Sequence, residues 1–221
     1  MKSQKPDQDF ALKDCTLAAI ATGQSAQNLR EFRNRMREVN LDSIYYHFWG
    51  GLLRPRFDDP QYHNDFAIWA RYGLQDAVLA ERLGIIDPNI FQDLESLRQE
   101  LVELIEQRLD EVEWVPWAKA GNQFNFVRSQ VVVFDTSARI STPQELSQAL
   151  PGMSVGSIFF HFIDARRRSS NNMDDFRNWL MQNFSGHDEL SRRLAQVDPF
   201  FSSLIELRDH LKEVFGMYFG G

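Results

Sequence analysis

A mainly α fold, α+β with a minor β element, is predicted for this chain as a tandem duplication of one strand-plus-helices unit with pseudo-two-fold symmetry. Three observations predict it. The hexamer Ser43-Ile44-Tyr45-Tyr46-His47-Phe48 returns 114 positions later as Ser157-Ile158-Phe159-Phe160-His161-Phe162. Flanking landmarks return in the same order, as self-similarity at a fixed spacing requires of a repeat. Between the turn signals, most segments carry apolar residues at helical spacing, and one stretch per copy is strand-like.

Upstream of the hexamer the two copies align without a gap. Phe10 meets Phe124, Leu12 meets Phe126, Ile20 meets Phe134, Thr22 meets Thr136, and Glu31-Phe32 meets Glu145-Leu146. Downstream, Asp65-Phe66 and Trp69 match Asp175-Phe176 and Trp179, and Asp87-Pro88 matches Asp198-Pro199. The units are drawn as 10–111 and 124–219, joined by a connector over 112–123 that holds Trp114, Pro116 and Trp117.

Each copy opens on its strand. FNFVRSQVVVF, from Phe124, is rich in β-branched and aromatic residues. Its counterpart FALKDCTLAAI, from Phe10, is ambiguous alone and is drawn toward strand by the alignment. The two strands are expected to pair centrally, limiting exposed edges. Because both faces of the second strand are apolar near its end, cover on both sides and a shared core are expected. A helix follows over 27–39 in copy one and 142–150 in copy two, the latter opening on Thr142 as N-cap with Pro143 at the first helical position. Ser43 and Ser157 are expected to cap the aromatic helices. Asp65 and Asp175 fall at the start of a third helix, where a carboxylate favours the exposed amides. An amphipathic leucine helix ends each copy, from Leu94 and from Leu204.

Composition narrows the class. Of 221 residues, 43% are hydrophobic and 13% aromatic, which excludes a disordered chain. No apolar run approaches the length of a membrane-spanning helix. The N-terminal MKSQKPDQDF is polar, without a signal-peptide core, and the single Cys15 suits a reducing compartment. A cytoplasmic protein is expected. The net charge is −7, and residues 1–111 carry 13 basic and 19 acidic side chains, so most of the acidity lies in the first copy.

The hexamers, the arginines after them, the D-F-x-x-W signature and the terminal L-x-x-L-R helix together resemble an uncharacterised prokaryotic family, domain of unknown function 5752, over about Phe10 to Phe219. The resemblance implies no activity and no site.

Two motif matches invite functions. Gly152-Met153-Ser154-Val155-Gly156 fits the G-x-S-x-G nucleophile elbow, but the segment before it is helical where an elbow needs a strand. It reads better as a turn between helices. ELSQALPGMSVGSIFFHF resembles the helix-turn-helix of Tet-repressor-like regulators, yet neither half of the chain has the basic surplus that phosphate neutralisation requires. Nucleic acid is therefore not the expected partner. Metal-ligand spacings, Walker loops and GxGxxG turns are missing, so neither a metal nor a cofactor is expected.

The equivalent histidines remain. His47 is followed by Trp49, Arg54 and Arg56, and His161 by Arg166, Arg167 and Arg168. An imidazole beside guanidinium groups suits a phosphate or carboxylate ligand. The other reading is a buried histidine, hydrogen-bonded across the pseudo-two-fold, with the arginines paired to Asp58, Asp59, Asp174 or Asp175. The candidate ligand-binding residues are His47, Trp49, Arg54, Arg56, His161, Arg166 and Arg168. The expected function is a binding or accessory protein that captures a small anion or a protein partner, with a homodimer left open. The alternatives are a His/Arg-dependent enzyme acting on a phosphorylated or carboxylated metabolite, and a helix-turn-helix regulator.

Overall fold

Both strand-like stretches become strands, and they pair with each other. In the computed structural model of the chain, which describes residues 9–53, 61–111, 120–200 and 203–220, β1 (Phe10–Ala26) and β2 (Phe124–Ile140) form a two-stranded antiparallel sheet. Both strands run further than predicted, and threonine side chains tie the extensions together. Thr22 Oγ1 donates to the Phe126 carbonyl at 2.6 Å, and Thr136 Oγ1 donates to the Leu12 carbonyl at 2.6 Å. One residue after each threonine the backbone enters the left-handed region, at Gly23 (φ 73°) and Ser137 (φ 63°). Single residues of this kind kink a strand without ending it.

The chain divides into two compact units, Leu17–Val131 and Met1–Thr16 with Val132–Gly221. Each strand starts in one unit and ends in the other.

In the unit Leu17–Val131, α1 (Leu29–Glu38) starts one turn signal later than predicted, because Asn28 rather than Gln27 supplies the capping oxygen, to the Glu31 amide. The aromatic helix α2 (Leu41–Trp49) is capped by Asn40. Ser43 is therefore not its cap. It lies inside the first turn, fully buried, and its hydroxyl donates to the Val127 carbonyl at 2.8 Å. Next come α3 (Asp65–Tyr72), capped by Asn64, α4 (Ala77–Gly84), capped by Asp76, and the leucine helix α5 (Leu94–Glu111). α3 packs on α4, and α1, α2 and α4 pack on α5. The core is Phe32, Phe48, Phe66, Leu83, Leu97, Leu101 and Ile105, each at or near zero exposure.

The other unit contains α6 (Pro143–Ala149), capped by Thr142 as the sequence predicts. One continuous helical path follows: α7 (Val155–Ile158), a π-helical stretch over Phe159–Asp164, and α8 (Ala165–Arg168). Its cap is Ser154, not Ser157, which is buried one turn in. α9 (Asp175–Asn183), α10 (Asp188–Ala195) and α11 (Leu204–Phe219) complete the unit. The Ser203 hydroxyl and Glu206 carboxylate form a reciprocal capping box at the start of α11. Phe162, Phe176, Leu190, Leu194, Leu207, Leu211 and Phe215 form the core.

The expected double cover of the second strand is not found. Val132, Val133 and Phe134 are 37%, 43% and 51% exposed. Burial along β2 is confined to Phe124, Phe126 and Ser129 in its first third and to Ile140 at its end. Among the described residues no helix is long and apolar enough to cross a membrane.

Candidate functional site

The two histidines sit in matching surroundings, each made from one helix, one carboxylate and one strand. His47 lies on α2, where the apolar face of the helix carries it inward to 4% exposure. Its Nδ1 is 2.8 Å from Asp65 Oδ2, at the start of α3, and its Nε2 accepts the Val127 amide of β2 at 3.1 Å. His161 lies in the π-helical stretch at 2% exposure. Its Nδ1 is 2.8 Å from Asp175 Oδ2, and its Nε2 accepts the Lys13 amide of β1 at 2.9 Å.

The tautomer follows from the partners. A backbone amide can only donate, so Nε2 is unprotonated and Nδ1 holds the proton that goes to the carboxylate. Both ring nitrogens are used and the ring is neutral. A phenylalanine from the same strand covers each imidazole. Phe124 lies 4.7 Å from His47, 5.5 Å from Phe66 and 5.5 Å from Trp69, centroid to centroid. Phe10 lies 4.7 Å from His161, 5.5 Å from Phe176 and 5.5 Å from Trp179.

The remaining candidates fall in different places. Trp49 is buried against Tyr45, ring centroids 4.9 Å apart. Arg54 and Arg56, like Asp58 and Asp59 and the connector tryptophans Trp114 and Trp117, lie outside the described residues. Arg168 gives Nε to Asp164 at 2.8 Å and Nη2 to both Asp175 and the Phe160 carbonyl, while its guanidinium lies 3.9 Å above the Phe160 ring. Arg167 also reaches Asp164, whose side chain is buried. Arg166 lies 4.8 Å above the Phe162 ring. Arg168 thus spends its charge on two carboxylates, one of which orients His161.

Beside His47 is a cleft of about 410 Å³. It is lined by Tyr46, His47, Asp65, Trp69, Tyr72 and Phe124, and by Gly73, Asn122, Gln123 and Asn125. The 120–127 segment is pinned along its length. The Gly121 amide donates to the Gly73 carbonyl at 2.9 Å, Trp69 Nε1 donates to the Asn122 carbonyl at 2.7 Å, and Val127 is held by His47. Asp65 is the one charged residue among the described lining residues, and its side chain is 32% exposed. Sequence reasoning treated Asp65 as a helix-start carboxylate and did not reach Tyr72, Asn122, Gln123 or Asn125.

The two motif matches also receive local explanations. Ser154 Oγ accepts the Ser157 amide at 2.9 Å, so it caps a helix. Gly156 is the point where that helix meets β1, since a Cβ there would lie 2.2 Å from Asp14 Oδ1 and 2.3 Å from the Cys15 carbonyl oxygen. The helix that would read DNA, from Gly156 to Ala165, is buried at every position. It has no face to offer a groove.

A family model for a family of unknown function, DUF5752, matches residues 7–216, and the chain belongs to that family. Among solved structures, OrfY from Thermoproteus tenax is similar at 24% identity and a TM-score of 0.84, covering 96% of each chain. That likeness bears on the fold. No curated protein matches the chain.

Proposed function

We propose that this is a binding or accessory protein, not an enzyme, and that it takes its ligand in the cleft beside His47. The state of the histidines carries the reading. General acid–base catalysis needs a ring nitrogen within reach of the substrate, and both nitrogens of His47 and His161 are engaged by amides and carboxylates. They act as pins that fix a strand to a helix. What is left facing the cleft is a preformed wall of aromatic rings, amide groups and one carboxylate, the usual composition of a binding pocket.

The proposal includes the tandem duplication, with each copy's opening strand serving the other copy's helices. Several coincidences at the 114-residue offset support it. Val127 and Lys13 are equivalent, and they donate to His47 and His161 respectively. Phe124 and Phe10 are equivalent, and they cover those rings at the same 4.7 Å. Gly23 and Ser137 are equivalent, and both have positive φ. On this reading the residues shared by the copies maintain packing, and function lies where they diverge. Tyr46, Ile68, Tyr72, Gly73 and Asn125 line the cleft, whereas the aligned positions hold Phe160, Asn178, Gln182, Asn183 and Ala11.

The experiment is an NMR screen of a metabolite library, scored on the Trp69 indole and the Asn122 and Asn125 side-chain signals, with wild type and His47→Gln. Glutamine keeps an acceptor for the Val127 amide but cannot relay a proton. Saturable binding that persists in His47→Gln supports the proposal. Turnover of a bound compound that is lost in His47→Gln would favour the enzyme instead, and a silent library would refute the cleft.

A further inference from the structure

We infer that the cleft beside His47 takes a small organic cation, an alkylammonium group held between aromatic rings and a carboxylate. This rests on the binding reading and specifies its ligand.

The charge comes first. Asp65 is the only formal charge among the described lining residues. Its neighbour His47 leaves that charge in place, because Nε2 is occupied as an acceptor of the Val127 amide and the ring contributes a single N–H, to Asp65 Oδ2. Asp65 Oδ1 has no hydrogen-bond partner among the described residues, and the side chain is 32% exposed, open to a ligand. An anion entering here would face a carboxylate with no compensating cation among the described lining residues. An ammonium would complete the pair.

The walls are the second observation. Tyr46, Trp69, Tyr72 and Phe124 all line the cleft, and the faces of such rings attract cations through their quadrupoles. Two of these walls are fixed before any ligand arrives. Trp69 is tethered through its indole N–H to the Asn122 carbonyl, and Phe124 is wedged among His47, Phe66 and Trp69. Preorganised walls spare the ligand the cost of ordering them. A volume of about 410 Å³ suits an amine carrying several carbon atoms and is far larger than a bare ion needs. The 13 basic against 19 acidic side chains of residues 1–111 add a field that draws cations to this half of the chain.

The test is a titration of the full chain followed in ¹H–¹⁵N spectra, with tetramethylammonium, glucose and inorganic phosphate as the cationic, neutral and anionic probes. Tetramethylammonium is expected to shift the Trp69 indole and the Gly73 and Asn125 amides saturably, while glucose and phosphate at the same concentration do not. Asp65→Asn is expected to weaken the cation about tenfold, and Tyr72→Ala about two- to fivefold. Tyr72 is 64% exposed, so its variant keeps the test decisive if Asp65→Asn, which also alters the His47 contact, fails to fold. Equal or stronger shifts with glucose or phosphate, or a cation affinity untouched by both variants, overturn the cation inference and leave the binding reading standing. Silence from all three probes also overturns it, and the binding reading then falls only if the wider library is silent too.

Discussion

Replacing Asp174 by asparagine should stabilise the protein at neutral pH and leave it unchanged in acid. Asp174 is fully buried and caps α9, its Oδ1 accepting the Arg177 amide at 2.9 Å. Its Oδ2 is buried without a hydrogen-bond partner, and the nearest ion-pair contact is Arg177 Nη1 at 4.0 Å. The cap of α3 solves the same problem with an amide. Asn64 Oδ1 accepts the Ala67 amide, and its Nδ2 donates to the Leu83 carbonyl, both at 2.9 Å. Burial pushes the Asp174 carboxyl from 3.8 up to about 6, against the opposing pull of Arg166 and Arg177. The folded state therefore holds this proton more tightly than the unfolded chain. Its contribution is complete below pH 3.8, declines as pH rises, and is lost once the folded carboxyl ionises near pH 6. At 1.36 kcal/mol per pH unit the loss at pH 7 approaches about 3 kcal/mol, an upper figure that water penetration would reduce. Asp174→Asn should recover about 1–3 kcal/mol at pH 7 and almost nothing at pH 4. Urea unfolding from pH 4 to 8 measures both. A stability difference that does not vary with pH, or a less stable variant at pH 7, would show that the carboxylate is charged and held by Arg166 and Arg177.

Three further outcomes are expected. Gly156→Ala should cost about 1–3 kcal/mol by overpacking, read as a lower thermal midpoint, since the new Cβ would overlap Asp14 and the Cys15 carbonyl; an unchanged midpoint would refute the close approach. Ser137→Gly should gain about 0.5–1 kcal/mol, because a left-handed backbone is strained for any side chain, and Gly23→Ala should lose a similar amount with no steric cause, its Cβ position being open. Cys15 should resist alkylation by iodoacetamide at pH 8 in the folded protein, as burial first, and then Asp164 and Asp14, push its thiol up to about 12 and so keep it protonated. Rapid labelling without unfolding would contradict that.

Much of the fold was legible because apolar spacing and caps act locally. Thr142, the start of α3 at Asp65 and both leucine helices fall where periodicity and capping put them. The caps of the aromatic helices were misplaced by one turn, since Ser43 and Ser157 compete with Asn40 and Ser154 and both sets of side chains can cap. Burial decides between them, and burial is not a local property. The same holds for Val132, Val133 and Phe134, whose apolarity predicts cover that a two-stranded ribbon does not provide over its length.

The candidate site was legible only in part, and the reason lies in which residues a recurring sequence pattern makes visible. A hexamer seen twice draws attention to what the copies share, and His47 and His161 share the task of accepting a strand amide while donating to a carboxylate. That arrangement favours burial and a fixed tautomer, which are properties of a packing residue. The cleft is built by side chains separated by as many as 81 positions, from Tyr46 to Val127, and by residues that differ between the two aligned segments. Subtracting one copy from the other would have singled out Tyr72 and Asn125, aligned with Gln182 and Ala11. If duplication freed one copy to diverge while the other kept the packing, the exchanges Tyr72→Gln and Asn125→Ala should each weaken binding in the cleft about two- to fivefold and leave the His47 and His161 hydrogen bonds intact. Loss of the fold in those variants would place these residues back among the packing set, and unimpaired binding would move the ligand elsewhere.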